Sequence, residues 1–388
     1  MSLDHVNAEL DAPHARTIGP LAGMLFRAGV LAAVAGLLLL LILGAAGGAY
    51  SAERAMFAYL VSFLFFMSIT LGGLLFVLIH FLCRTGTVTN YRRLGEIVAA
   101  TAPAMALAAI PVILGGGLLH RWMTHPDDPI VAGKAPFLLP AAWAVRLVIY
   151  MLVFGVMGWW YHRTSLRQDR TADPQLTRRM QALAAPGVIV YAFAITFFAI
   201  DLIMALDAHW FSTIFGVYYF AGAFMAFHAV LAIALNWCQN RGRLVRVVNA
   251  EHYHDVGKML FAFVVFWAYI AYSQYMLIWY GNLPEEQVWF IRRGASTDPA
   301  HANPFSLLML ALLIGHFAVP FLGLVSRSVK RNRHKLWFWA IWMLVFHFID
   351  IVWLVRPELR QGNVTLAINW LDILALGHVQ FYQHARHG

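Results

Sequence analysis

Residues Ala55 to Leu82 read AMFAYLVSFLFFMSITLGGLLFVLIHFL, 28 consecutive positions without an aspartate, glutamate, lysine or arginine. A hydrocarbon core about 30 Å thick needs roughly 20 apolar residues in a helix, so this run crosses a bilayer with residues to spare. Working outward from it, comparable runs lie near 21–46, 94–119, 138–162, 185–206, 211–238, 256–280, 305–326 and 335–356. A tenth stretch, 366–384, is weaker, because Asp372, Gln380 and Gln383 interrupt it. The sequence therefore predicts an all-α integral membrane protein with nine to ten transmembrane helices.

Composition agrees with that reading. Of 388 residues, 61% are apolar and only 12% charged, and mean hydropathy is +0.66. A soluble domain carries about 25% charged residues, so a water-soluble enzyme, a disordered chain and a nucleic-acid module are all excluded. The connections between spans are short, the longest being near 163–184 and 281–304, which leaves no room for a cofactor-bearing soluble head. The two cysteines, Cys83 and Cys238, sit at the ends of apolar runs. No C-x-x-C or C-x-x-C-H occurs, so thiolate zinc, iron–sulfur and covalent haem sites lack their ligand sets. The polar segment 1–20 carries Asp4, Glu9 and Asp11 and lacks the basic n-region of a signal peptide, so 21–46 is expected to be a retained helix.

The net charge of +9 reports topology. Four alternate loops, holding Arg84, Arg163, Arg241 and Lys330 among others, collect 16 Lys and Arg. The opposite loops hold 7. The positive-inside rule then places the N-terminus in the cytoplasm.

Ionisable residues inside a membrane are expensive and are functional candidates by default. Arg146 on the fourth span and Asp201 on the fifth lie at matched depth with opposite charge, either as a lock between two helices or as part of a charge path. The ninth span carries His347 near mid-membrane and Asp350 further out, and His316 sits midway along the eighth. The seventh contributes Tyr269, Tyr272 and Gln274, while His228 lies toward the cytoplasm on the sixth. With His80 and Lys258 at the inner boundary, these groups form outer, middle and inner layers, as a proton path requires. Desolvation favours a neutral carboxyl, which makes Asp350 the expected proton carrier, whereas Arg146 beside Asp201 favours the charged form. Two haem ligands about thirteen residues apart, as in stacked b-haem bundles, occur on no span. A single haem through His228, His316 or His347 stays geometrically open. Pro103, Pro111 and Pro320 are expected to break their helices, and Pro186 to lie in the first turn of the fifth span.

Four stretches carry a resemblance: DLIMALDAHWFSTIFG (Asp201 to Gly216), the region Tyr253 to Glu286 with YHDVGK and FWAYIAYSQYMLIWYGNLPEE, GHFAVPFLGLVSRSVKRN (Gly315 to Asn332) and HFIDIVWLVRPEL (His347 to Leu359). Over roughly 185–360 the chain resembles the NrfD/polysulfide-reductase-like membrane subunits. Within them it is most similar to the quinone-binding subunit 2 type of alternative complex III. That resemblance implies two four-helix bundles, helices 2–5 within 55–206 and helices 6–9 within 211–356. A peripheral first helix (21–46) and a C-terminal segment (357–388) would flank them.

It also implies a bacterial inner-membrane complex in which partner subunits carry haem c and iron–sulfur clusters. The partners would be a homologous NrfD-like membrane subunit, an iron–sulfur subunit and multihaem cytochrome c subunits. Such complexes oxidise quinol and reduce an electron acceptor. The type resembled here supports assembly, quinone contact and proton conduction, binds no cofactor directly apart from quinone, and is not catalytic alone. Its homologue in the same complex forms the main quinol site. Two departures stand out: the end GHVQFYQHARHG is polar and short for a tenth span, and Ala208 precedes His209 where the family commonly has proline. A proton-coupled secondary transporter and a purely structural anchor of a redox complex are the alternatives the same spans allow.

Overall fold

The computed structural model describes residues 48–86, 88–295 and 303–359. The expected first helix, the polar segment 1–20 and the tenth stretch lie outside the described residues. Eight helices within them are long and apolar enough to cross a membrane, and among the described residues there is no strand.

The spans are α1 (Gly48–Leu82), a broken third span of α2 (Thr89–Ala99), α3 (Ala102–Ala108) and α4 (Ile110–Leu114), α5 (Pro140–Thr171), α6 (Pro174–Leu202), α7 (Phe215–Asn240) and α8 (Ala250–Gly281). After the short α9 (Pro284–Arg292) come a span of α10 (Phe305–Ala311), a π-helical turn Leu312–Ala318 and α11 (Val319–Leu324), and finally α12 (Arg333–Val355). The elements α1 to α6 pack with one another, as do α7, α8, α10–α11 and α12.

The two groups meet where α1 crosses α7. α1 is covered on nearly every side, and Gly72 is the reason α7 comes so close: a Cβ there would stand 2.3 Å from the Ala223 carbonyl oxygen. Tyr191 on α6 and Tyr219 on α7 donate to the α1 carbonyls of Leu71 (3.0 Å) and Leu64 (2.8 Å), so hydroxyls that lipid would leave unsatisfied are used to tie helices together.

Local sequence explains the boundaries. Asn249 caps α8 through the amides of Glu251 and His252, and Asn332 caps α12 through those of His334 and Lys335. Pro103 and Pro111 fall in the first turns of α3 and α4, where a missing N–H costs little, so each proline restarts a helix after breaking one.

Two expectations are corrected. The stretch 163–184 is not a loop: α5 runs to Thr171, Ala172 turns left-handed at φ +51°, and Asp173 caps α6 through the Gln175 amide (2.9 Å). Its charged residues ride on helical extensions of the two spans. Pro186 consequently lies inside α6, twelve residues after the helix begins at Pro174. The stretch 281–304 also contains structure, since α9 buries Trp289, which stacks on Trp210 at 4.1 Å.

Candidate functional site: buried polar groups of the two helix groups

The first helix group pairs its buried carboxylates with arginine: Glu96 on α2 takes Arg92 (3.0 Å) and Arg93 (2.6 Å), and Asp201 is paired within the spans. Asp201, wholly buried on α6, takes both prongs of the Arg146 guanidinium, from Nε at 2.9 Å and Nη2 at 2.7 Å. Tyr150 adds a third donor at 2.8 Å. Arg146 in turn lies over the Phe137 ring and donates to the Phe137 carbonyl (2.9 Å). A bidentate, charge-assisted pair of this kind joins α5 to α6 with little freedom left over. Such a pairing is what a lock between two helices requires.

The second group is built differently. Asp350 is buried on α12, and its carboxylate oxygens accept from the Tyr218 hydroxyl (2.5 Å) and the Trp267 indole N–H (3.1 Å). Among the described residues no Lys, Arg or His forms an ion pair with it. One turn along the same helix, His347 meets Ser68 of α1, Nε2 to Oγ, at 2.8 Å. Ser68 donates its own proton to the Phe65 carbonyl (2.6 Å), so the Nε2–H of His347 donates to Ser68 and the unprotonated Nδ1 has no hydrogen-bond partner. Gly222 on α7 makes the space for that edge of the ring, because a Cβ there would lie 2.8 Å from His347 Cε1.

His316 completes the array. It is fully buried within the π-helical turn, neither ring nitrogen has a hydrogen-bond partner, and its ring lies 3.8 Å from that of Trp267. Trp267 therefore touches both histidine and carboxylate, by its face and by its N–H. The π turn is held by α12: Trp342 donates to the Gly315 carbonyl at 2.7 Å, and Phe346 fills the space beside Gly315. Single π turns inside helices are frequent at functional sites because they re-aim one side chain at the expense of the regular ladder.

The remaining candidates separate. Gln274 is buried and accepts from Ser212 (3.2 Å). His228 donates through Nδ1 to the Phe224 carbonyl (2.8 Å) amid Phe76, Phe224 and Phe227. His80, half-buried, bonds the Phe76 carbonyl in the same manner, and Lys258 is exposed beside Asp255. Tyr269 and Tyr272 do not join the array. They are 63% and 65% exposed on the outward face of α8. Helical phase decides this, since Trp267, Ile270 and Gln274 occupy the inward face and residues 269 and 272 fall opposite.

Ser68 and Tyr218 are the participants that sequence reasoning passes over. Ser68 is one hydroxyl in the long apolar run, and Tyr218 is one of many span aromatics. Also unanticipated is an ionic chain at the loop end nearest Asp350. Arg292 joins Asp207 and Glu358, and Glu358 also binds Arg293 at 3.0 Å. Arg293 is buried, lies 3.5 Å above Trp289 and donates to the Leu354 carbonyl (2.7 Å). Desolvation lowers its pKa to about 10, a shift that Glu358 opposes, so the guanidinium stays charged at neutral pH. Among the described residues no three His, Cys, Asp or Glu side chains gather as a metal site.

No family model matches the sequence, and no curated protein matches it.

Proposed function

We propose that this chain is a membrane subunit of a bacterial quinol:electron-acceptor oxidoreductase of the alternative complex III type, and that its second helix group conducts protons. In this reading it lies in the cytoplasmic membrane with the N-terminus inside, beside a homologous membrane subunit and iron–sulfur and multihaem cytochrome c subunits. Electron transfer belongs to those partners; this chain contributes assembly, contact with quinone and a proton route.

The observation that carries the proposal is the contrast between two buried carboxylates. Asp201 is matched by an arginine and serves as a lock, whereas among the described residues Asp350 is matched only by the neutral donors Tyr218 and Trp267. A carboxylate kept charged in hydrocarbon without a counter-ion is costly, so Asp350 suits a group that holds charge briefly. His316, joined to it through Trp267, and His347, one turn away, each offer an unpartnered ring nitrogen as the next stop. The resemblance supports the same reading, because Trp267, Gln274, His316, His347 and Asp350 all belong to the stretches that carry it.

The test is Asp350→Asn in the intact complex, measuring quinol oxidation and proton movement separately. Loss of a positioned acid–base group slows proton transfer by about a hundredfold or more, with the bound haem and iron–sulfur content unchanged. Wild-type proton movement in the variant refutes the role of Asp350. Isolation from native membranes without redox partners refutes the assignment to such a complex.

A further inference from the structure

We infer that a groove between α7 and α12, at the end of the molecule where the basic loops lie, is a binding site for an anionic phospholipid. This inference is independent of the proposed redox role. The groove has a volume of about 350 Å³ and is lined by Ile233, Asn236, Trp237, Asn240, His334 and Trp337. Its position follows from the helix ends: Asn240 is the last residue of α7 and His334 the second of α12. It therefore opens at the membrane–water boundary, where tryptophan rings and basic residues are favoured.

Three features select the ligand. Asn236 is only 5% exposed, yet its Oδ1 has no hydrogen-bond partner. An amide buried one turn inside a span normally finds a partner; Asn236 lines the groove, and with its Oδ1 closed off from that space it is the N–H end of the amide that is left to face it. That N–H end serves a lipid headgroup by donating to a phosphate or ester oxygen.

Charge comes next. No acidic side chain lines the groove, and two guanidiniums stand on its lining residues. Arg241 lies 4.3 Å over the Trp237 ring, and Arg333 donates to His334 (3.1 Å). Basic pockets between spans at the cytoplasmic side are where anionic headgroups bind. Third, Ile233 lies one turn deeper than Trp237 and continues the groove as an apolar track for an acyl chain. The headgroup would thus sit at Arg241, Arg333 and His334, the linkage region at Asn236, and the chain along Ile233 between the two indoles.

Native mass spectrometry of the full-length chain, and of any complex isolated with it, tests the site. Detergent micelles are doped with phosphatidylglycerol or with phosphatidylcholine of the same acyl chains. At about fivefold for each surface basic residue engaged, wild type should retain phosphatidylglycerol at least about fivefold over phosphatidylcholine. The double variant Asn236→Leu, Arg241→Gln should retain both equally. Arg163 provides the control, since it also stacks on a tryptophan, Trp159, but neither residue lines this groove. Arg163→Gln should keep the wild-type preference.

Asn236→Asp, nearly isosteric, places a carboxylate against the phosphate and should lose the preference even if the leucine variant folds poorly. Equal retention of the two lipids by wild type overturns the inference, as does an equal loss in Arg163→Gln, which indicates diffuse surface charge only. Retention by the isolated chain but not within a complex also overturns it, because a neighbouring subunit then covers the groove.

Discussion

Replacing Gly72 by alanine tests the joint on which the whole arrangement depends. The added methyl would stand 2.3 Å from the Ala223 carbonyl oxygen, 2.5 Å from Phe227 Cβ and 3.0 Å from the Ala223 carbonyl carbon. Comfortable carbon–carbon contact needs roughly 3.5 Å or more, so α1 and α7 must separate by close to an ångström. None of these atoms is the far end of a flexible side chain, and no rotamer change relieves the clash. Overpacking of this kind costs about 1–3 kcal/mol, and Gly72→Ala belongs at the top of that range because it also loosens the Tyr219–Leu64 bond across the same joint.

Two neighbouring glycines calibrate the effect. At Gly73 the methyl meets side chains only, Val98 Cγ1 at 2.8 Å, Val98 Cβ at 3.1 Å and Phe227 Cε2 at 3.2 Å, a milder clash, and at Gly86 it meets nothing within 4 Å. Thermal unfolding of the three variants in one detergent should rank the loss as Gly72, then Gly73, then Gly86 with none. Wild-type stability in Gly72→Ala, or a larger loss at Gly73, would refute the close crossing of α1 and α7.

The polar groups supply further tests. A double-mutant cycle of Arg146→Gln and Asp201→Asn should show a coupling of about 1.5–3 kcal/mol in unfolding, with proton movement by the double variant near wild type. Tyr218→Phe should slow proton movement, while Tyr269→Phe and Tyr272→Phe should leave it unchanged; the reverse order contradicts the placement of the two outward tyrosines. Asp128 caps the short helix Pro129–Gly133 by accepting from the Ile130 amide at 2.9 Å, and that bond holds its carboxyl below the usual range. The stabilisation it provides is therefore present above about pH 4 and is lost as pH falls through the lowered value. Hydrogen exchange at Ile130, corrected for its intrinsic rate, should rise over that interval, and a flat profile removes the cap.

Much of this protein is readable without coordinates because the bilayer constrains it so strongly. Eight of the expected spans lie among the described residues, and each is found there as a helix or a broken helix. Hydropathy gauges them well because unsatisfied backbone groups are too costly in hydrocarbon to permit anything but helices or closed barrels. The pairing of Arg146 with Asp201 was equally accessible, as depth can be counted at about 1.5 Å per residue and opposite charges at one depth attract. Polar sequence was the weaker guide. The stretch 163–184 looks like a loop by composition, but outside the membrane polar residues are as compatible with helix as with coil, and the left-handed turn at Ala172 carries no glycine to announce it.

Composition, hydropathy and charge asymmetry by themselves determined that the chain is a helical membrane protein, where its spans run and which ionisable groups lie along them. Only the tertiary structure decided which of those groups meet. Depth is a one-dimensional quantity set by position along a span, but partnership also depends on the rotation of each helix and on which helix stands beside it. Tyr269 and Gln274 are five residues apart on α8, yet one faces outward and the other inward. Asp350 and Ser68 were separated by most of the chain until α1, α7, α8 and α12 came together around one small volume.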